Sequence, residues 1–444
     1  MKPKHFIIIL VLLCLQTGNS IAQSYTLQQA IDFALKNHTN VKNGELDVEI
    51  AKAKVNEYVG VGLPQINAKG ELTRYIDLPT QFIPAEFFGG EPGSYAPVQF
   101  GQNYSATAGI SASQLLFDGS YLIGLKAKRI YAELAKKQFT ETRIDVAVKV
   151  SKAYYMVLVA RERLDQLESD VARVAKLKSD TKAMYDNGFV EKIDYDRVEL
   201  NYNLLLNARD YTKRMTDNSL ELLKFQMGLP LKSEITLSDK TSDITYDATL
   251  ITRDTVDANT RIEFDILKTR ERLTGLDLKR YRSLRLPSLS MNANLSTTAS
   301  RDDFTIFDPS YKWYPFSLVG ATLSFPIFNG FTKSAQIKQA YLTNQKVKNS
   351  FSQMQEGIQL EYKNAVANYN NSLDKLNTQS KNRELAREIA RVSKIKYDQG
   401  VGSSLELIDS ESALREAETN YYTALLELLM SKTDLDKASG SIKY

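Results

Sequence analysis

The tetrapeptide Tyr185-Asp186-Asn187-Gly188 returns 212 positions later as Tyr397-Asp398-Gln399-Gly400, and much of the chain follows it in duplicate. At the same offset Glu199 meets Glu411, Leu223 meets Leu435 and Gly228 meets Gly440. Phe117-Asp118-Gly119 returns as Phe328-Asn329-Gly330 at an offset of 211, and Leu63-Pro64 as Leu286-Pro287 at 223. The spacing therefore changes between Pro64 and Gly119, where loops absorb the difference. A duplicated chain uses one supersecondary plan twice, which removes most fold classes from consideration. The copies run over 23–230 and 259–440, and the stretch 231–258 between them, rich in Ser, Thr and Asp, reads as a connector.

Within each copy the order is helix, two strands, long helix, tight turn, helix. Val150, Ala153, Val157, Ala160, Leu164, Leu167, Val171 and Val174 recur in steps of three and four, which is the seam of a coiled coil. Leu414, Ala417, Tyr421, Ala424 and Leu428 keep the same rhythm in the second copy. No proline interrupts 119–187, so one helix there can run for ~100 Å at 1.5 Å per residue. Gly188 and Gly400 suit helix ends, because glycine enters the left-handed conformation without a Cβ clash. Two antiparallel hairpins follow, over 120–228 and 331–438.

The strands have period two. Ser288 to Ser296 alternates polar and apolar without a break, and from Tyr104 to Ser113 Tyr, Ala, Ala, Ile and Ala alternate with Ser, Thr, Gly, Ser and Ser. Gln65 to Ile76 alternates with one lapse at Arg74, and Trp313 to Phe325 more loosely. Strands are thus expected within about 64–117 and 287–328. Alternation alone also fits a soluble sheet with one wet face. Length favours a membrane: these segments reach 10–13 residues, against ~5–6 for a globular strand and 9–11 for a transmembrane one. Their polar faces are small and in places uncharged, and aromatics crowd the segment ends: Phe82, Phe87, Phe88, Tyr95 and Phe100, then Phe304, Phe307, Tyr311, Trp313 and Tyr314. Interfacial belts have that composition.

The first residues agree. Lys2 and Lys4 precede an apolar run from Phe6 to Leu15, and Ser20-Ile21-Ala22 supplies the small residues of a signal-peptide cleavage site, which defines 1–22 as an export signal. Cleavage would remove Cys14, the one cysteine, so packing and assembly rather than disulfides must hold the mature chain. Losing Lys2 and Lys4 leaves 55 basic residues against 53 acidic, a near-neutral balance with no electrostatic footprint for nucleic acid. No later segment is apolar enough for a membrane-spanning helix, so a membrane reading requires a closed barrel. Four strands cannot close one. Two, three or four copies, sharing eight, twelve or sixteen strands, all would.

The signal peptide, the duplicated helix–strand–strand–helix plan, the Phe-Asp-Gly and Phe-Asn-Gly junctions and the Tyr-Asp-x-Gly tips together resemble the outer membrane efflux protein (TolC-like) family, over essentially the whole mature chain. The resemblance implies a mainly helical protein with a membrane β-barrel, four strands per chain forming a 12-stranded barrel in a homotrimer. It further implies an outer-membrane exit duct extending into the periplasm. Its expected partners are a periplasmic adaptor (membrane fusion) protein, an inner-membrane efflux or ABC transporter and outer-membrane lipid, with no cofactor, no metal and no enzymatic chemistry. Asn187, Gly188, Phe189, Gln399, Gly400 and Val401 match the tips at which adaptors dock.

The family also closes its periplasmic mouth with acids six and nine residues past the second tip glycine, here Glu406 and Asp409. Asp194 takes the position of Glu406 in the first copy, and Tyr397 and Tyr185 lie beside the same mouth. Arg197 aligns with Asp409, so the copies differ in charge. Glu406 has a competing local duty, because Ser403-Ser404-Leu405-Glu406 has the form of a capping box in which Glu406 bonds back to the helix start. His38, the one histidine outside the signal and its flank, has no His or Cys neighbour with which to build a metal or catalytic site. Other carboxylates on the long helices read as solvated faces. The alternative from another functional class is a periplasmic coiled-coil scaffold without a pore.

Overall fold

The computed structural model describes residues 23–444 except 245, 247, 248, 254 and 443; the signal segment 1–22 lies outside the described residues. The chain forms two compact units, and these are not the two copies. One comprises 49–134 and 268–349; the other comprises the segments to Val48, 135–267 and 350–444. Each unit draws on both copies.

The first of these units is built on a sheet. Strands β2 (Gln65–Arg74), β5 (Tyr104–Phe117), β7 (Ser288–Arg301) and β8 (Tyr314–Ser324) pair antiparallel in the order β2-β5-β7-β8. Register turns the alternation of each strand into a face. Ile66, Ala112, Ala293 and Val319 form one row, with Ala68, Ile110 and Leu295 beside it; Asn67, Ser111 and Asn294 lie on the opposite face. The apolar face is uncovered, with Ile66, Ile110, Leu295, Val319 and Leu323 all exposed. On the polar face Thr107 bonds Thr298 (3.3 Å) and Asn292 bonds Thr322 (3.4 Å). The outer edges of β2 and β8 have no partner strand among the described residues.

The aromatics of the first copy lie between the ends of β2 and β5. Phe82 and Tyr95 belong to a separate hairpin of β3 (Thr80–Pro84) and β4 (Tyr95–Gln99), and Phe87 and Phe88 to the 3-10 turn Ala85–Phe88 at its tip. The reason lies in the turn chemistry, since Gly89 and Gly93 in left-handed conformation let the chain double back before β5 begins. Pro64 and Pro287 stand where helix gives way to strand, after α2 (Thr39–Gly60) and α5 (Ile262–Ser283).

The second unit is helical. Its hairpins are α3 (Gly119–Asp186) from residue 135 onward with α4 (Lys192–Met227), and α6 (Thr332–Asp398) from residue 350 onward with α7 (Ser404–Ser439), with α1 (Leu27–Asn37) packed on them. Val150, Ala153, Val157, Leu167, Val171 and Val174 are buried, as are Leu414, Ala417, Ala424 and Leu428. Each buried Val or Leu contributes roughly 1.5–3 kcal/mol. The connector is structured: β6 (Ile235–Leu237) pairs parallel with β1 (Gln23–Tyr25). Asp239 then accepts from the Tyr154 hydroxyl and from the Leu27 amide, both at 2.8 Å. His38 ends α1, its Nδ1 accepting from the Asn40 amide at 3.1 Å, and burial, aided by Lys149, pushes its pKa down. That is a structural histidine. Among the described residues no helix is long and apolar enough to cross a membrane, and no cluster of His, Cys, Asp and Glu could hold a metal.

Candidate functional site at the hairpin tips

Both long helices end in the same backbone figure. At the first tip the Gly188 amide bonds the Tyr185 carbonyl (2.9 Å) and the Phe189 amide the Met184 carbonyl (2.9 Å). At the second tip the Gly400 amide bonds the Tyr397 carbonyl (3.0 Å) and the Val401 amide the Lys396 carbonyl (3.0 Å). These bonds satisfy carbonyls the helix leaves unpaired, and they require positive φ at the glycine: +77° at Gly188 and +73° at Gly400. Nothing lies within 4 Å of where a Cβ would stand at either position. The glycines are needed for the turn, and the space beside them is open. Flanking them, Phe189 is 81% exposed and Val401 79%, and Ile193 and Leu405 are exposed one turn further on. Lys182 pairs with Asp186 (3.2 Å) and Lys394 with Asp398 (2.9 Å), so the last helical turns match as well.

Sequence reasoning missed Gly402. A Cβ there would stand 2.9 Å from Lys396 Cβ and 3.0 Å from the Tyr397 amide nitrogen, which leaves no room for a side chain. The signal was visible in the spacing Gly400-Val401-Gly402.

Side chains diverge where the backbones agree. Helix α4 opens with one half of a capping box: Asp194 Oδ2 accepts from the Glu191 amide at 3.2 Å, while the Asp194 amide donates to the Glu191 backbone carbonyl at 3.0 Å. The other oxygen of Asp194 accepts a hydrogen bond from Ser404 of the second tip. Arg197 Nη1 donates to Ser404 Oγ at 3.4 Å and lies 4.0 Å from Asp194. Asp194, Arg197 and Ser404 thus tie one hairpin to the other.

Helix α7 opens on half a box. Ser403 Oγ accepts from the Glu406 amide (3.1 Å), but the Glu406 carboxylate does not return to the helix start. It pairs with Lys396 Nζ across the turn at 3.0 Å, which corrects the expected reciprocal bond: the cation offers a charge-assisted contact that a neutral amide does not. Asp409 is exposed and has no ion-pair partner among the described residues. Tyr397 is buried with Leu177, Val198 and Leu407, and its hydroxyl shares a 3.4 Å hydrogen bond with Thr181. Tyr185 instead stacks on Tyr195 at 6.4 Å between centroids.

An antiparallel four-stranded sheet with a bare apolar face and open edges, in a chain whose helical hairpins end in matched tips, has the parts of an outer-membrane channel subunit. The model of the outer membrane efflux protein family matches residues 30–222 and 277–441, and the chain belongs to that family. The outer membrane protein TolC of Vibrio cholerae is 21% identical over 344 residues, covering 76% of this chain and 77% of that protein. TolC of Salmonella enteritidis is 18% identical over 451 residues, covering 100% and 87%. The open-state structure of the MtrE outer membrane channel of Neisseria gonorrhoeae shares the fold with a TM-score of 0.72 at 19% identity, covering 93% of this chain and 88% of that one. The protein is therefore an outer-membrane channel of the efflux family, and that family is one of channel proteins.

Proposed function

We propose that this chain is one third of a passive exit duct, its four strands joined to those of two further copies in a closed 12-stranded barrel. The observation that supports this most directly is the sheet. Its apolar face is continuous across four strands and exposed, and among the described residues both of its edges lack partners. Backbone groups left open in lipid cost several kcal/mol each, so the edges must meet other copies. In this reading each copy of the repeat, 23–230 and 259–440, supplies two strands and one hairpin, and 231–258 joins them. A pore-less periplasmic scaffold leaves the apolar face without a role.

The tips are the docking surface for a periplasmic adaptor, through Asn187, Gly188, Phe189, Gln399, Gly400 and Val401, and the adaptor couples the duct to an inner-membrane efflux or ABC transporter. The exposed side chains of Phe189 and Val401 beside open glycines support this role. Asp409 and Glu406 line the periplasmic aperture, with Asp194 and Tyr397 holding its closed form. Crosslinking in intact outer membranes is expected to yield a trimer, and the purified trimer to conduct ions in planar bilayers. A stable membrane-inserted monomer sinks the shared barrel; a dimer or tetramer overturns the count of three.

A further inference from the structure

Helices α2, α3 and α5 surround a cavity of about 450 Å³, inside the range of roughly 300–1,000 Å³ that small-molecule sites occupy. Its wall is apolar, formed by Val55 of α2, Ile123 and Ala127 of α3, and Leu273 and Leu276 of α5. The hollow exists because α3 is thin there: Ala127 presents one methyl group and Gly124 no side chain. A Cβ at Gly124 would overlap the Tyr58 hydroxyl, so Tyr58 lies across the glycine and closes the end nearer the strands. That hydroxyl donates to the Ser120 carbonyl at 3.4 Å, and the ring stacks on Tyr121 at 5.6 Å between centroids. Tyr131 and Leu273 line the far end, and beside them Arg272 pairs with Glu133 at 3.3 Å, which ties α5 to α3. Thr274 of the same wall accepts from Asn344 of α6 at 2.9 Å. Fixed contacts therefore hold the space open.

The charges around this space do not cancel. Lys54, Lys128 and Arg280 line it against one carboxylate, Asp277, which Arg280 already holds at 2.9 Å. Arg280 is engaged a second time by the Tyr281 ring, 4.4 Å from its centroid. Lys54 and Lys128 have no acidic partner among the described residues. Lys54 stands one turn from Tyr58 on α2, and Lys128 one turn from Gly124 on α3, each on the side away from the strands. The two ammonium groups are thus at one level on neighbouring helices, Lys54 exposed and Lys128 half-buried, beside an apolar hollow. Two of the three walls, α3 and α5, continue into the inner strands β5 and β7. Further copies joining at the outer edges of β2 and β8 would meet the subunit away from those walls.

We infer that the cavity binds a single-chain lipid with an anionic head, of the fatty-acid class, its chain along the apolar wall and its carboxylate between Lys54 and Lys128. Charge complementarity selects the head. A carboxylate gains charge-assisted hydrogen bonds from both ammonium groups, a neutral head gains weaker ones, and a cation is repelled. Size selects one chain. From Ile123 to Tyr131 the wall runs for ~12 Å at 1.5 Å per residue, and the volume lies toward the small end of the range for ligand sites, which suits one acyl chain rather than the two of a phospholipid. Each methylene moved from water onto that wall strengthens binding about fourfold. Tyr58, Gly124 and Arg280 lie about two helical turns along the chain from the strand ends at Gln65, Phe117 and Ser288. In the channel reading the cavity therefore opens beside the membrane, where it can take a chain that leaves the lipid. That placement alone rests on the channel reading; the cavity and its two lysines do not.

Photolabelling of the purified full-length protein in amphipol tests the site, with a diazirine-bearing decanoate as the probe. Saturable labelling of the peptides that carry Val55, Ile123, Ala127 and Leu273 is expected. Unlabelled decanoate should compete, and decanol or decyltrimethylammonium should compete about tenfold less well, the worth of one charge-assisted hydrogen bond. Labelling should fall by a similar factor when Lys54→Gln and Lys128→Gln are combined, a change that leaves the apolar wall intact. Ala127→Phe should abolish it by filling the hollow, and if that variant loses its helicity the lysine variant decides. Absent or unsaturable labelling of the parent protein, equal competition by the three amphiphiles, or full labelling of the lysine variant overturns the proposal. Saturable labelling of a protein that neither trimerises nor conducts overturns the channel reading and leaves the site standing; a conducting trimer that is not labelled overturns the site alone.

Discussion

The two tips share a backbone and differ in their chemistry. Each ends a long helix with a left-handed glycine, the same pair of capping hydrogen bonds and a matched Lys–Asp pair one turn earlier. Beyond the glycine the first tip turns its acid inward: Asp194 accepts from the Glu191 amide at its own helix start and from Ser404. The second tip leaves its acids outward, Glu406 held by Lys396 alone and Asp409 by nothing described. Duplication copied the fold because turn and cap signals are local. Charge was then free to diverge, so one tip became a brace and the other an acidic edge.

The largest test of that comparison is at Gly402, whose first-copy counterpart is Val190. Gly402→Val should cost about 1–3 kcal/mol, as overpacked sites do, since the new side chain meets Lys396 Cβ and the Tyr397 backbone. Gly400→Leu meets open space and should cost about 1–2 kcal/mol from its left-handed φ alone. If the tips dock an adaptor as proposed, trimer yield should survive Gly400→Leu while export is lost, because the new side chain would occupy the proposed docking surface. Measured stabilities in the reverse order mean that the two tips differ in backbone after all. Loss of trimer in Gly400→Leu means that the glycine is structural only.

The middle test compares the aligned acids. Asp194→Ala removes half a capping box and the bond from Ser404, and should lower stability by about 0.5–2 kcal/mol. Glu406→Ala removes one solvent-exposed ion pair, worth roughly 0–1 kcal/mol. Chemical denaturation of the two variants side by side decides. If Glu406→Ala is the more damaging, the brace has been assigned to the wrong tip.

How far the sequence foretold these features follows from how local each one is. Repeat, helix ends and strand alternation depend on residues within a turn or a pleat of one another, and register then made the alternation of β2, β5, β7 and β8 into faces. The bond from Ser404 to Asp194 joins positions 210 apart, and the pair Lys396–Glu406 crosses a turn. Neither leaves a periodic trace. Asp170, Glu411 and Glu418 were hidden for a different reason. A polar residue on a long helix is ordinarily solvated, but these three are buried, Asp170 and Glu411 both paired with Arg173 and Glu418 with Arg387, between positions far apart in sequence.

The smallest effect on stability, and the most specific for function, is expected at Asp409. It is exposed and unpaired among the described residues, so Asp409→Ala should change folding by no more than about 0.5 kcal/mol. Three copies around one axis, however, would sum to a focused negative potential, and rings of carboxylates select cations. Asp409→Ala should therefore reduce cation over anion permeability in planar bilayers and weaken block by multivalent cations. Arg197→Ala, at the equivalent place in the first copy, should leave selectivity in place if the first tip is a brace. Because salt screens exposed charges within about 10 Å at 0.1 M, the contrast between the two variants should narrow as ionic strength rises. Equal selectivity in both variants at low salt would remove Asp409 from the aperture and return it to the solvated face of α7.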